Sequence, residues 1–244
     1  STKAAETEVT LIQESGSEIT VTIGSHYEYS RLIDDFAEVQ ALNSLRRFYT
    51  DDAGYSLATR IDTDVLALGA SAQGGAANTA YTKGFIGGDG STAYVAASNN
   101  ESAITDAGFR RAIQRLDDAD VPMENRNFVI PPVARNTMMG LSRFTEQAFT
   151  GESGNANTIR NGQIGDIYGV KVYVSTNVAT TSGSADARAA LLFHPEWAVL
   201  IEQLSLRVQT QYKQEYLGTL LTADTLYGVG ELRDSSAVAL IVPA

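Results

Sequence analysis

The sequence contains no cysteine, which excludes a disulfide framework, a thiolate metal site and a thiol nucleophile. Lysine is almost as scarce, occurring only at Lys3, Lys83, Lys171 and Lys213. The 244 residues include two histidines, one tryptophan and five prolines. No apolar run approaches the roughly 18 residues that a membrane-spanning helix needs, and Ser1-Thr2-Lys3-Ala4-Ala5 lacks the apolar stretch of a signal peptide. The chain opens on Ser1 instead of methionine, in a segment that reads as half of a hairpin. Both features fit an N-terminal arm that was cleaved, disordered or omitted.

Catalytic patterns are missing too. His26 and His194 stand in no metal or nucleophile motif, and neither an HExxH helix nor a GxSxG elbow occurs. The acid pairs Asp34/Asp35, Asp51/Asp52 and Asp117/Asp118 are sequence neighbours, so their carboxylates diverge and cannot flank one bond. Asp62 and Asp64 likewise fall on different faces of a helix. The expectation is a protein that is not an enzyme, with no catalytic, cofactor-binding or metal-binding residue. A formal net charge of −11 also argues against gripping nucleic acid through its phosphates, which requires a basic face.

What is present is 43% hydrophobic and only 19% charged, a balance suited to large permanent interfaces. Thr7, Val9 and Leu11 alternate with polar residues, as do Ile19, Val21 and Ile23, with Gln13 to Ser17 between them. This predicts a two-stranded antiparallel ribbon, which is marginal in water unless something covers it. Ser44 is a candidate N-cap for a helix from Leu45 to Leu68, with Leu45, Phe48, Asp52, Tyr55, Ile61, Val65 and Leu68 as its inward stripe. Its length would be about 35 Å. Residues 73–100, rich in Gly, Ala, Ser, Thr and Asn, read as a flexible excursion and not as core. An amphipathic helix from Ala103 to Asp118 follows, then a buried strand Asn127-Phe128-Val129-Ile130, a helix from Val133 to about Phe144, and a strand at 165–174.

The last quarter of the chain carries the most information. Ala189-Ala190-Leu191-Leu192-Phe193 is a buried-strand signal that His194-Pro195-Glu196-Trp197 interrupts. From Ile201 to Tyr216 runs an unusually long strand pattern, with Leu204, Leu206, Val208, Thr210 and Tyr212 on one parity. Leu217 to Val229 reads as a short apolar helix, and Ala237-Val238-Ala239-Leu240-Ile241-Val242 as a closing strand.

The phrases Leu191-Leu192-Phe193-His194 through Val199, Leu220 to Val229, Asp34 to Gln40 with Arg46 to Ala58, and Gly165 to Val174 resemble blocks of the tailed-phage major capsid proteins of the Hong Kong 97 fold. The resemblance implies an α+β fold with an axial (A) domain, a peripheral (P) domain bearing a long spine helix and long β-strands, and an extended E-loop ribbon. It divides the chain into part of the E-loop at 1–30, P domain with spine helix and flexible loop at 31–102, A domain at 103–195, the long P-domain strand at 196–216 and a return to the A domain at 217–244.

The implied function is that of the major capsid (head) protein of a tailed double-stranded DNA bacteriophage. It would assemble in the host bacterial cytoplasm into hexamers and pentamers of the icosahedral head of the virion. Implied partners are other copies of itself, portal, scaffolding and decoration proteins, and enclosed DNA held without tight specific binding, with no membrane. An encapsulin-like nanocompartment shell is the alternative reading, and a phage tail or surface-layer protein a more distant one. Some relatives weld subunits through a lysine–asparagine isopeptide bond. With so few lysines, of which only Lys3 lies near the ribbon, non-covalent interfaces are expected here.

The residues expected to carry assembly are Val9, Leu11, Ile19, Val21 and Ile23 of the ribbon and Leu204, Leu206, Val208 and Tyr212 of the long strand. Val21→Asp should therefore block shell formation while circular dichroism of the subunit stays unchanged, and normal shells from that variant would contradict the assignment.

Overall fold

A computed structural model describes residues 18–41, 44–71, 85–95, 100–141, 166–181 and 187–244. The first arm of the expected ribbon, with Val9 and Leu11, lies outside the described residues. Its second arm, 18–24, is not a strand; the extended pairing begins one residue later. Strand β1 (Ser25–Asp34) leads into the short helix α1 (Asp35–Gln40), whose Asp34 side chain accepts the Phe36 amide at 2.8 Å as an N-cap. The long helix α2 (Leu45–Ser71) is 27 residues, and Ser44 caps it weakly, its Oγ 3.5 Å from the Arg47 amide.

The remaining elements are β2 (Phe85–Ile86), α3 (Asp106–Asp118), β3 (Asn127–Ile130), α4 (Pro132–Met139), β4 (Asp166–Ile167), β5 (Val170–Val174), β6 (Ala187–Phe193), β7 (Ala198–Lys213), β8 (Gly218–Glu231) and β9 (Ala237–Pro243). They form two sheets, one of three strands in the order β1-β8-β7 and one of six in the order β2-β9-β6-β3-β5-β4.

The six-stranded sheet is covered on both faces. Val238, Leu240 and Val242 of β9 and Ala190 and Leu192 of β6 point to one side, where α3 and α4 bring Phe109, Leu116, Ala134 and Met138. The alternate residues Ala237, Ala239 and Ile241 of β9 and Ala187, Ala189 and Leu191 of β6 point to the other side, against Trp197 and the last turns of α2. Double burial explains why β9, and β6 from Ala189 onward, are continuous apolar runs without polar alternation. Between β4 and β5 the chain turns at Tyr168 and Gly169, with φ of 52° and 78°, the two-residue reversal that fits hairpin twist. The expected single strand at 165–174 is thus a hairpin. Tyr168 is held by stacking on Phe109 at 6.1 Å and by donating to Asp106 at 2.7 Å.

Three further expectations are corrected. The segment Leu217–Val229 is not a helix but the greater part of β8, paired with β1 on one side and β7 on the other. Leu221, Ala223, Thr225 and Tyr227, all on one face of the strand, are buried, and two flanking strands outweigh its local helical pattern. The chain consequently stays in the three-stranded sheet through Glu231, past the break expected at 217. Phe85 and Ile86, expected in a flexible excursion, add a parallel strand to β9, and Phe85 is a core residue. Finally, Phe48 and Tyr55 do not face inward, being 63% and 75% exposed. The inward stripe of α2 begins with Ala53 and Leu57, which meet Ala223, Tyr27 and Tyr29, because a helix lies close on a sheet through small residues.

Helix α2 thereby touches both sheets, its first half lying on β1 and β8 and its end on β6 and β9. In between, the Tyr227 hydroxyl donates to Asp64 at 2.6 Å, Asp64 pairs with Arg60 at 3.1 Å, and Arg60 donates to the Tyr27 hydroxyl at 2.8 Å. Arg60 also lies over the Tyr27 ring, itself 5.8 Å from the Tyr227 ring. Burial, then the Asp64 contact, pushes the Tyr227 phenol well above its ordinary range. At the far end Gly69 sits so close to β6 that a Cβ there would lie 2.6 Å from Leu191 Cδ1. Gly69→Ala should cost about 1–3 kcal/mol by overpacking, read as a lower urea midpoint at unchanged slope.

Candidate assembly interface

Strand β7 is 16 residues long and lies at the edge of its sheet, so among the described residues only one of its sides is hydrogen-bonded. The other side presents a row of peptide N–H and C=O groups, the feature that soluble proteins usually shorten, charge or cover. Apart from Glu202, Arg207, Lys213 and two irregularities between Glu202 and Arg207, it carries few of these devices. Leu200, Ile201, Leu206, Val208 and Tyr212 are exposed, and the strand contains no proline.

The sequence placed Leu204, Leu206, Val208 and Tyr212 on one parity. The structure separates them, because the register with β8 shifts between Glu202 and Leu204 and again between Leu204 and Arg207. Each shift inserts one extra residue into β7 and exchanges faces. Val208 pairs with Ala223 and Tyr212 with Thr219, on the helix side of the sheet, whereas Leu204 pairs with Leu226 on the opposite side. The Leu204 carbonyl exposed by the irregularity accepts the Thr225 hydroxyl at 3.1 Å.

The same bulged region holds a clamp across all three strands. Arg207 of β7 donates to both carboxylate oxygens of Asp224 on β8, at 2.7 and 2.9 Å, and His26 of β1 lies 3.3 Å from the same carboxylate. Glu28 of β1 is the direct cross-strand neighbour of Asp224, which Arg207 meets from the opposite flank of β8. The bidentate guanidinium holds the Asp224 carboxyl below its usual range. Near the hairpin end of β7, the Tyr212 hydroxyl donates to Asp35 at 2.9 Å, and this bond raises the Tyr212 phenol.

Of the ribbon residues, Ile19 is exposed, while Val21 and Ile23 are half-buried against β8. Sequence reasoning missed a second group of exposed apolar side chains: Phe36 and Val39 on α1, Phe48 and Tyr55 on α2, and Tyr216 and Leu217 at the β7–β8 turn. Phe36 and Val39 were legible as apolar residues in a short acidic segment too small to bury them. His194 is buried and its Nδ1 caps the turn at Pro195–Trp197 by accepting the Glu196 amide at 3.4 Å. An open groove lined by Gln209, Thr210, Gln211, Leu220 and Thr222 runs along β7 and β8; it lacks the enclosure of a small-cofactor site. Among the described residues, no group of three His, Asp or Glu side chains is placed to hold a metal ion, and no described helix is long and apolar enough to cross a membrane.

Comparison with known proteins gives one family and one shared fold. The sequence matches the family of phage capsid proteins over residues 20–239. The structure is similar to that from Mycobacterium phage Che8, with 23% identity, TM-score 0.66, and coverage of 93% of this chain and 76% of that one. It is also similar to the capsid of Cyanophage P-SCSP1u, at 19% identity and TM-score 0.67, covering 96% and 80%. The capsid of Ralstonia phage GP4 follows at 17% identity and TM-score 0.64, covering 92% and 74%. No curated protein matches the sequence.

The clamp predicts a defined pH response. A carboxyl held below its unfolded-state value stabilises the fold above that value, about pH 3.9 for aspartate, and loses its contribution as pH falls through the lower folded-state value. Asp224→Asn should therefore lower the melting temperature of the unassembled chain at pH 7, and the gap from the parent should close as pH falls below about 4. A gap independent of pH would contradict the clamp.

Proposed function

This chain belongs to the phage capsid protein family as a major capsid protein of the Hong Kong 97-type fold, and we propose that its copies close an icosahedral head through hexamers and pentamers. In this reading the six-stranded sheet and its helices form the A domain, gathered around the capsomer axis. The three-stranded sheet with α2 forms the P domain and makes edge-to-edge contacts. The arm entering at residues 18–24 is the base of an E-loop that reaches a neighbouring copy. The observation that carries this reading is the edge of β7, unpaired among the described residues along a 16-residue strand with Leu206, Val208 and Tyr212 exposed. An exposed edge of that length is an aggregation hazard in a monomer and a ready interface in a shell.

Each contact need not be strong, since every subunit makes several and closure adds them together. The acidic balance of −11 favours an interior that holds packaged DNA without gripping it. Portal, scaffolding and decoration proteins are the further partners of this reading, and assembly in the host cytoplasm is its setting. The family match and the phage capsids among the similar structures favour it over an encapsulin-like compartment or a tail protein.

Electron microscopy of the purified chain after dialysis tests the proposal. Closed particles of uniform diameter are expected, and Val208→Lys with Tyr212→Lys should abolish them without changing the circular dichroism of the subunit. Only monomers, even with scaffold supplied, would overturn it.

A further inference from the structure

Residues 21–23 approach β8 over its face and not along its side. A Cβ on Gly228 would lie 2.7 Å from the Thr22 carbonyl oxygen and 3.0 Å from Ile23 Cα. A Cβ on Gly230 would lie 2.6 Å from Val21 Cγ2 and 3.1 Å from Val21 Cγ1. The two glycines are two residues apart in a strand and so share one face, the face on which β7 places Ile201 and Val199. Neither has a positive φ, so backbone conformation does not require glycine at either position. Glycine inside a strand weakens it and often marks a close approach of another chain segment. Space for residues 21–23 is the requirement that both positions meet.

We infer that Gly228 and Gly230 form a seat that fixes the direction in which the chain N-terminal to Ile19 leaves the subunit, and thereby which neighbouring copy it reaches. The link to a neighbour rests on the shell reading above; the seat itself does not. The two positions differ in a way that can be tested. At Gly228 the obstacle to a side chain is backbone, which no substitution in the arm removes. At Gly230 it is the two methyl groups of Val21, without which the nearest remaining atom, Val21 Cβ, is at 3.4 Å, an ordinary contact.

Because the chain has no cysteine, spin labels can be attached cleanly at Ile19→Cys and Gln209→Cys, and the distance between them reports where the arm sits. The parent should give one narrow distribution. Gly228→Ala should shift or broaden it, whether or not Val21→Ala is also present. Gly230→Ala should do the same alone and return to the parent distribution when combined with Val21→Ala. An unchanged distribution in Gly228→Ala, or failure of Val21→Ala to rescue Gly230→Ala, would overturn the seat. Circular dichroism confirms that each variant is folded, and the rescued double variant keeps the test decisive if one single variant is not. In electron microscopy Gly228→Ala should lose closed particles; normal particles from a variant whose arm has moved would overturn the link to assembly. Absence of particles from the parent would count against the shell reading and leave the distance result standing.

Discussion

One helix lying across two sheets holds this subunit together. Helix α2 meets the three-stranded sheet through Ala53 and Leu57 and the six-stranded sheet through Val65, Leu66, Leu68 and Gly69. Small residues at both ends of the contact let the helix lie close enough for one rigid element to serve both cores. Between them the Tyr227–Asp64–Arg60–Tyr27 network fixes the helix to β1 and β8 with charge-assisted bonds in a partly buried setting. Force applied to the edge of one sheet is therefore carried to the other through packed structure and not through a loop, which is what a shell subunit contacted on many sides requires.

The same division separates two kinds of surface. The six-stranded sheet is buried on both faces and satisfies its apolar residues within the subunit. The three-stranded sheet is covered by α2 on one side only at its centre, and among the described residues its outer strands β1 and β7 each pair with β8 alone. Stability thus resides in one sheet and unfinished contacts in the other. The Arg207–Asp224–His26 clamp is placed where β7 departs from regular register, so it keeps a long edge strand attached to its neighbours at the point where the ladder is interrupted.

Much of this was legible in the residues, for identifiable reasons. The cores of β6 and β9 read correctly because a doubly covered strand shows successive apolar residues without alternation, and α2 because its helical period runs longer than any ordinary strand. Strand β8 read as a helix because Leu217 to Val229 has apolar residues at both periods, and only pairing with β7 and with the sequence-distant β1 selects the extended form. The parity of β7 failed at its bulges, which depend on partner register and leave no mark in the strand's own sequence. Among the expected assembly residues, Val208 and Tyr212 came out together on one exposed face, Leu204 on the other, and Val21 and Ile23 against the glycines of β8. Phe48 and Tyr55 show the reverse error: spacing identified a helical stripe, but large side chains turned outward because the sheet accepts alanine more closely.

The central claim is that the β7 edge is completed by another copy of this chain. Hydrogen exchange of the β7 amides, compared between unassembled subunits and closed particles, tests it most directly. The account predicts that amides on the side of β7 facing away from β8 exchange freely in the subunit and are strongly protected in the particle. Equal exchange in both states would contradict it.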